Sequence, residues 1–249
     1  MNNIYIYNNF VDLINLINYL ICNKIKPFNI KNNFYNPSMF DNLIYLNLKE
    51  NNIQKFINLI GENNFKIIYY VYLSKNDNKE LIMYYFSLNA CIYKDRIIYQ
   101  RNLKCVNETL KISNYVKHEN HKFKGFTRFK ELKNKVMYAE INPENNIIEL
   151  LSNHFKNRIK NEYWIIKDVN RNLISLYNKK DFFIVNEEDC KLLDLELSNV
   201  ELGIEKLWKK FYQTIGIKER KNDRCRMNFM PKKYWKYIIE MDDVYEKSN

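Results

Sequence analysis

The apolar residues change their period twice along this chain, and that change limits the fold more than any other feature. Up to about residue 121 they recur at helical spacing; from 123 to 185 they come in short β-branched and aromatic runs; beyond 200 the helical spacing returns. Ile4–Tyr7 reads as a first strand. A helix follows with Phe10, Leu13, Ile14, Ile17 and Ile21 on one face, capped by Asn8 or Asn9. Residues 50–60 and 63–74, the stripe Leu81, Tyr84, Tyr85, Leu88, Cys91 and Ile92, and residues 101–121 complete the first helical part. The runs 123–129, 136–141, 163–166, 173–177 and 182–185 are predicted strands, parted by turns such as Asn142-Pro143-Glu144-Asn145 and interrupted by a helix near 146–157. Ile204, Leu207, Trp208, Phe211, Tyr212 and Ile215 form the next stripe, and Pro231 suits the first turn of a last helix. Trp164, Trp208 and Phe211 are expected in the core. The class is α+β: N-terminal helices, a central, mainly antiparallel sheet and C-terminal helices. Residues 1–80 are read as a strand plus helical region packed on the rest, and residues 81–249 as the main α+β domain.

The composition fits that reading. A chain of 249 residues, 46% apolar and 15% aromatic, can bury a sizeable core and is too rich in aromatics for disorder. Glycine and proline number four each, so no flexible linker or low-complexity tail is expected. Asn, Ile, Lys and Tyr are over-used throughout, the imprint of an AT-rich genome, which discounts lysine content as a functional signal. No stretch reaches the roughly 18 apolar residues of a membrane span, and the first residues lack the basic and apolar regions of a leader, so a cytoplasmic protein without membrane contact is expected. The five cysteines form no CxxC pair and read as reduced thiols.

Charge placement says more than charge content. The net charge is +11. Residues 111–138 hold eight Lys/Arg against two Glu, and residues 207–237 hold ten against Glu219 and Asp223, so the remainder is slightly acidic. A genomic lysine bias would spread evenly. Two basic segments on an acidic remainder suit a face that meets a polyanion, while a solvated lysine-rich surface is the plainer alternative.

Common catalytic signatures are absent: no Walker loop, GxGxxG, GxSxG or HExxH. The three histidines (His118, His121 and His154) do not compel a metal site, and neither metal nor cofactor is expected. Four segments carry chemistry. In His121-Lys122-Phe123-Lys124-Gly125-Phe126-Thr127-Arg128-Phe129, aromatic residues that stack on bases alternate with cations that neutralise phosphates, and the glycine marks a helix-to-strand junction; strand alternation would bury at least two of the phenylalanines. On Val136–Ile141, Tyr138 and Glu140 share a face, where Glu140 serves as a general base or, more simply, as an ion-pair partner of Arg128. His154-Phe155 with Arg158 precedes Trp164-Ile165-Ile166-Lys167-Asp168, whose carboxylate belongs either to an active site or to a turn. Ile217–Asn222, with Arg220 and Lys221, and Met230–Trp235, with Lys232 and Lys233, have the cation density of phosphate contact.

These blocks, in this order, resemble an uncharacterised bacterial family of probable DNA metabolism proteins. The matching positions are His121–Phe129, Tyr138–Pro143, His154–Arg158, Trp164–Asp168, Leu207–Tyr212, Ile217–Asn222 and Met230–Trp235. The resemblance spans roughly residues 80–240, and the strand-then-helix opening is also similar. Thr127 departs from a more apolar family position. The resemblance implies a place beside a radical-SAM-type DNA modification or repair protein and, in some relatives, fusion to a uracil-DNA glycosylase. It implies no catalytic residues.

The expectation is therefore a DNA-binding accessory or processing protein acting with a radical-SAM or glycosylase-type protein partner. Lys122, Lys124, Arg128, Arg158, Arg220, Lys221, Lys232 and Lys233 are its candidate nucleic-acid contacts. The alternatives are an enzyme acting on a DNA base or strand, with His121, Glu140, His154 and Asp168 in one cleft, and a non-catalytic protein-interaction subunit.

Overall fold

The first apolar run forms strand β1 (Asn2–Tyr7), and two residues later helix α1 (Phe10–Cys22) begins. Asn9 is its cap: the side-chain oxygen accepts from the Asp12 amide at 3.0 Å. The computed structural model describes residues 2–46, 48, 53–190, 195–215, 217, 220 and 222–241. The chain divides into two compact units, residues 1–118 and 119–249.

In the first unit β1 is the central strand of a three-stranded parallel sheet, between β2 (Asn29–Asn32) and β3 (Asp41–Tyr45). Helices α1, α2 (Ile53–Ile60), α3 (Glu62–Tyr72) and α4 (Lys79–Tyr93) bury Leu13, Ile17, Phe56, Ile60, Ile68, Met83 and Phe86 in one core with Tyr5 and Tyr7. Glycine is needed at one point. Gly61, between α2 and α3, has φ +94°, a conformation side chains resist, and a Cβ there would meet Asp95 Oδ1 at 3.2 Å. Strands β2 and β3 are absent from the sequence reading. They are short and contain Asn and Asp, poor strand formers, and they are strands because buried β1 offers them hydrogen bonds.

In the second unit, which begins within α5 (Lys104–Phe126), a five-stranded sheet runs β4 (Lys130–Glu131), β5 (Met137–Ile141), β6 (Trp164–Asp168), β7 (Leu173–Tyr177) and β8 (Phe182–Asn186). The sheet is mixed. Its pairings are antiparallel except β5–β6, which is parallel because α6 (Ile148–Arg158) makes the crossover between those strands. Helix α6 covers one face: Ser152 Oγ lies 2.7 Å from Ser175 Oγ, and Phe129 packs on both Phe155 and Trp164. The register pairs Met137 with Trp164 and Ile141 with Asp168, so Trp164, Ile166 and Asp168 point towards α6 while Tyr138 and Glu140 point away. Helices α7 (Asn199–Ile215) and α8 (Asp223–Phe229) follow.

Three expectations need correction. Residues 123–126 are helical, not the start of a strand; α5 runs through Gly125, and the strand begins only at Lys130. Phe123 and Phe126, three residues apart, both meet the Tyr234 ring at 5.1 Å, a contact that helical spacing provides and strand alternation would not. After Pro231 come two 3-10 segments, Lys232–Tyr237 and Ile239–Met241, rather than an α-helix. Trp164 is fully buried as expected, but Trp208 and Phe211 are 42% and 52% exposed. The side of α7 turned to its unit is held by Glu201 and Glu205, which pair with Arg128 and Lys130, so the apolar stripe faces outward.

Candidate nucleic-acid interface

The expected basic residues fall into two groups, those neutralised within the fold and those left free to meet an anion. Arg128 belongs to the first: its Nη2 donates to Glu201 Oε1 at 2.6 Å, and the other oxygen of that buried carboxylate accepts from the Glu131 amide at 3.2 Å. The expected Arg128–Glu140 pair is not made; Glu140 instead accepts from the Tyr138 hydroxyl at 2.8 Å. Lys233 is also engaged, 2.7 Å from Glu144 Oε1 and 3.6 Å from Glu119 Oε1. Burial works against its charge, but the hydrogen bond to Glu144 and the surrounding negative charge raise its pKa above the ordinary lysine value. Lys232 lies over the Trp235 ring at 5.9 Å, and Arg226 over the same ring at 4.9 Å.

The second group is Lys124, near the end of α5, with His154 and Arg158, one turn apart on α6. None of the three has a hydrogen-bond or ion-pair partner among the described residues, and His154 Nε2 is a buried nitrogen with nothing to bond. Burial lowers the His154 pKa below the ordinary histidine value, and the charges of Lys124 and Arg158 lower it further. The charges felt at His154 are those of Lys124 on α5 and of Arg158, one turn away on α6. Two unpaired cations acting on a neutral imidazole suit a phosphate, whose charge would relieve the repulsion. Lys122 is half-buried and His121 exposed on α5, and Arg220 is exposed; Lys221 lies outside the described residues.

Of the four expected catalytic groups, Glu140 and Asp168 lie on opposite faces of the sheet. Asp168 is fully buried at the end of β6, accepting from the Asn170 amide at 3.0 Å and from Arg171 Nη1 at 3.1 Å. Burial pushes its pKa up, and Arg171 partly offsets this. Arg171 also donates to the Pro143 carbonyl at 3.0 Å and to the Glu144 carbonyl. From the other side Glu119 accepts from the amides of Glu144 and Asn145, each at 2.9 Å. The loop after β5 is thus held by Asp168 through Arg171, by Glu119 and by Lys233. No spacing in the sequence announces Glu119, Arg171 or Glu201 as anchors, because their partners lie elsewhere in the chain.

Glu140 lies on the other face, in a cleft of about 280 Å³ lined by Arg128, Lys130, Tyr138, Leu195, Leu197, Lys236 and Tyr237 as well as itself. Burial raises the Tyr138 pKa, and the hydrogen bond to Glu140 and its charge add to the rise, so Tyr138 is a phenol donor at neutral pH. Among the described residues no group of three or more His, Cys, Asp or Glu side chains could hold a metal ion, and no helix is long and apolar enough to cross a membrane.

A mixed α/β protein with an unpaired basic cluster and a small cleft of mixed charged and apolar lining is the class that fold and site define. The chain belongs to a family described as a domain of unknown function, DUF4130, which residues 76–240 match. No curated protein and no solved structure matches it.

Proposed function

We propose that the chain is a DNA-binding accessory or processing protein of DNA metabolism or repair, working beside a radical-SAM or uracil-DNA glycosylase-type protein. The observation that carries the DNA part is the Lys124–His154–Arg158 cluster, unpaired where Arg128 and Lys233 are neutralised. The partner rests on the family resemblance alone. Fluorescence anisotropy with single-stranded, duplex and uracil-containing DNA across a salt series tests the reading. If the cluster takes two or three phosphates, the logarithm of affinity falls against that of salt with a slope of about −2 to −3. Absence of binding at low salt overturns it.

A second reading, a protein-interaction subunit, is favoured by the exposed row Ile204, Leu207, Phe211 and Ile215 on α7 beside exposed Lys206 and Lys210. Those lysines suit an acidic, amphipathic partner segment over a second copy, since antiparallel pairing of two α7 helices centred on Trp208 would set Lys206 against Lys210. DNA failing to compete with such a segment would favour this reading.

A further inference from the structure

The cleft beneath Tyr138 and Glu140 has a charge pattern that narrows its occupant. Arg128 and Lys130 are among its lining residues but are already paired, with Glu201 at 2.6 Å and Glu205 at 3.2 Å. Glu140 and Lys236 are the two charges of the lining without an ion-pair partner among the described residues. The Tyr138 hydroxyl, 2.8 Å from Oε1, orients the Glu140 carboxylate and leaves Oε2 as an acceptor. Leu195, Leu197 and Tyr237 add apolar and aromatic wall. At about 280 Å³ the cleft is at the lower end of ligand pockets, room for one flat ring system rather than two.

A flat ligand with N–H donors on one edge and an anion at the other end satisfies each of these features. We propose that the cleft takes the base of a single nucleotide carrying an exocyclic amino group, with Glu140 accepting from that amino group, Tyr138 fixing the carboxylate and Lys236 facing the phosphate. Thymine and uracil are disfavoured, because the carbonyl oxygens flanking their one ring N–H would be turned towards the carboxylate. Glutamate accepting from cytosine N4 is the known form of this contact, and one good base contact discriminates by about 1–3 kcal/mol, roughly 5- to 150-fold. The inference stands apart from strand binding through Lys124, His154 and Arg158, which lie outside this cleft.

Calorimetric titration of the full chain with dCMP, dGMP, dAMP, dTMP and deoxycytidine tests it. At least one amino-bearing nucleotide should bind about tenfold or more tightly than dTMP. Glu140→Gln should remove most of that difference with an unchanged melting curve. Lys236→Ala, an exposed position, should erase the advantage of dCMP over deoxycytidine and leave the preference over dTMP intact. A single-stranded dC octamer separates the two sources of such a base: affinity above that of dCMP and lost in Glu140→Gln assigns a strand residue, whereas octamer affinity indifferent to Glu140→Gln, with dCMP still bound, assigns a free nucleotide. Binding of dTMP as tight as the others, or no nucleotide bound at millimolar concentration, overturns the proposal. A chain that binds dCMP but no strand keeps this cleft and loses the strand interface; the reverse result does the opposite.

Discussion

Glu140 and Asp168 sit on adjacent strands yet project from opposite faces of one sheet, because the β5–β6 register sets Ile141, not Glu140, beside Asp168. Two carboxylates that looked like partners in one cleft therefore do different work. Asp168 is buried under α6 and holds Arg171 against the Pro143–Glu144 carbonyls, whereas Glu140 lines an open cleft.

Replacing them separates the roles. Asp168→Ala leaves the Arg171 guanidinium without its carboxylate and the Asn170 amide without its acceptor. Loss of one member of a buried pair costs about 3 kcal/mol, roughly 10 °C in Tm for a unit of this size. Glu140→Gln keeps the melting curve. Circular dichroism melts decide it, and an unchanged melt for Asp168→Ala would release that residue from its structural role.

The pairing of Arg128 with Glu201 predicts a cost in stability for a residue expected among the nucleic-acid contacts. Glu201 is 5% exposed, so Arg128→Ala strands a buried charge and destabilises by about 3 kcal/mol. The double variant Arg128→Ala/Glu201→Ala recovers part of that loss, a coupling that a denaturant-unfolding cycle measures directly. Arg220→Ala, at an exposed position, weakens strand binding with stability unchanged.

The elements legible in the sequence are those whose period is unambiguous. β1, α1, α6 and strands β5 to β8 fall where alternation and helical stripes put them. Phe123–Phe129 misled because aromatic residues three apart fit a helix face and aromatic residues six apart fit a strand face. Tertiary contact with Tyr234 decides for the helix. The charge runs were visible, but not which cations were spoken for. Arg128 and Glu201 are 73 positions apart, and Lys233 and Glu144 are 89 apart. Likewise, nothing in the spacing of Lys124 and His154 shows that one charge is felt at the other.

If the Lys124–His154–Arg158 cluster binds a strand as proposed, that coupling makes the binding pH-dependent. His154 has a pKa below its ordinary value of 6.5, so in the free protein it is neutral at pH 7. A phosphate beside Lys124 and Arg158 favours the imidazolium, so binding takes up a proton and affinity rises as the pH falls towards the ordinary histidine value of 6.5. In the absence of DNA the sign is reversed. The unfolded chain accepts the proton first, so acidification through about 6.5 lowers stability. His154→Ala flattens both profiles in anisotropy and melting series, and an unaltered pH profile for strand binding would remove His154 from the interface.

The three tryptophans report on α7. Trp164 is fully buried and Trp235 is 2% exposed, whereas Trp208 is 42% exposed, its Nε1 donating to Glu240 at 2.9 Å. Acrylamide should quench one accessible class of emission, and Trp208→Phe should abolish that class while leaving the protected emission in place. If the wild-type emission is protected throughout, the α7 face is covered in solution. Sedimentation would then tell a second copy from another protein: a doubled mass overturns the charge argument against pairing at Lys206 and Lys210.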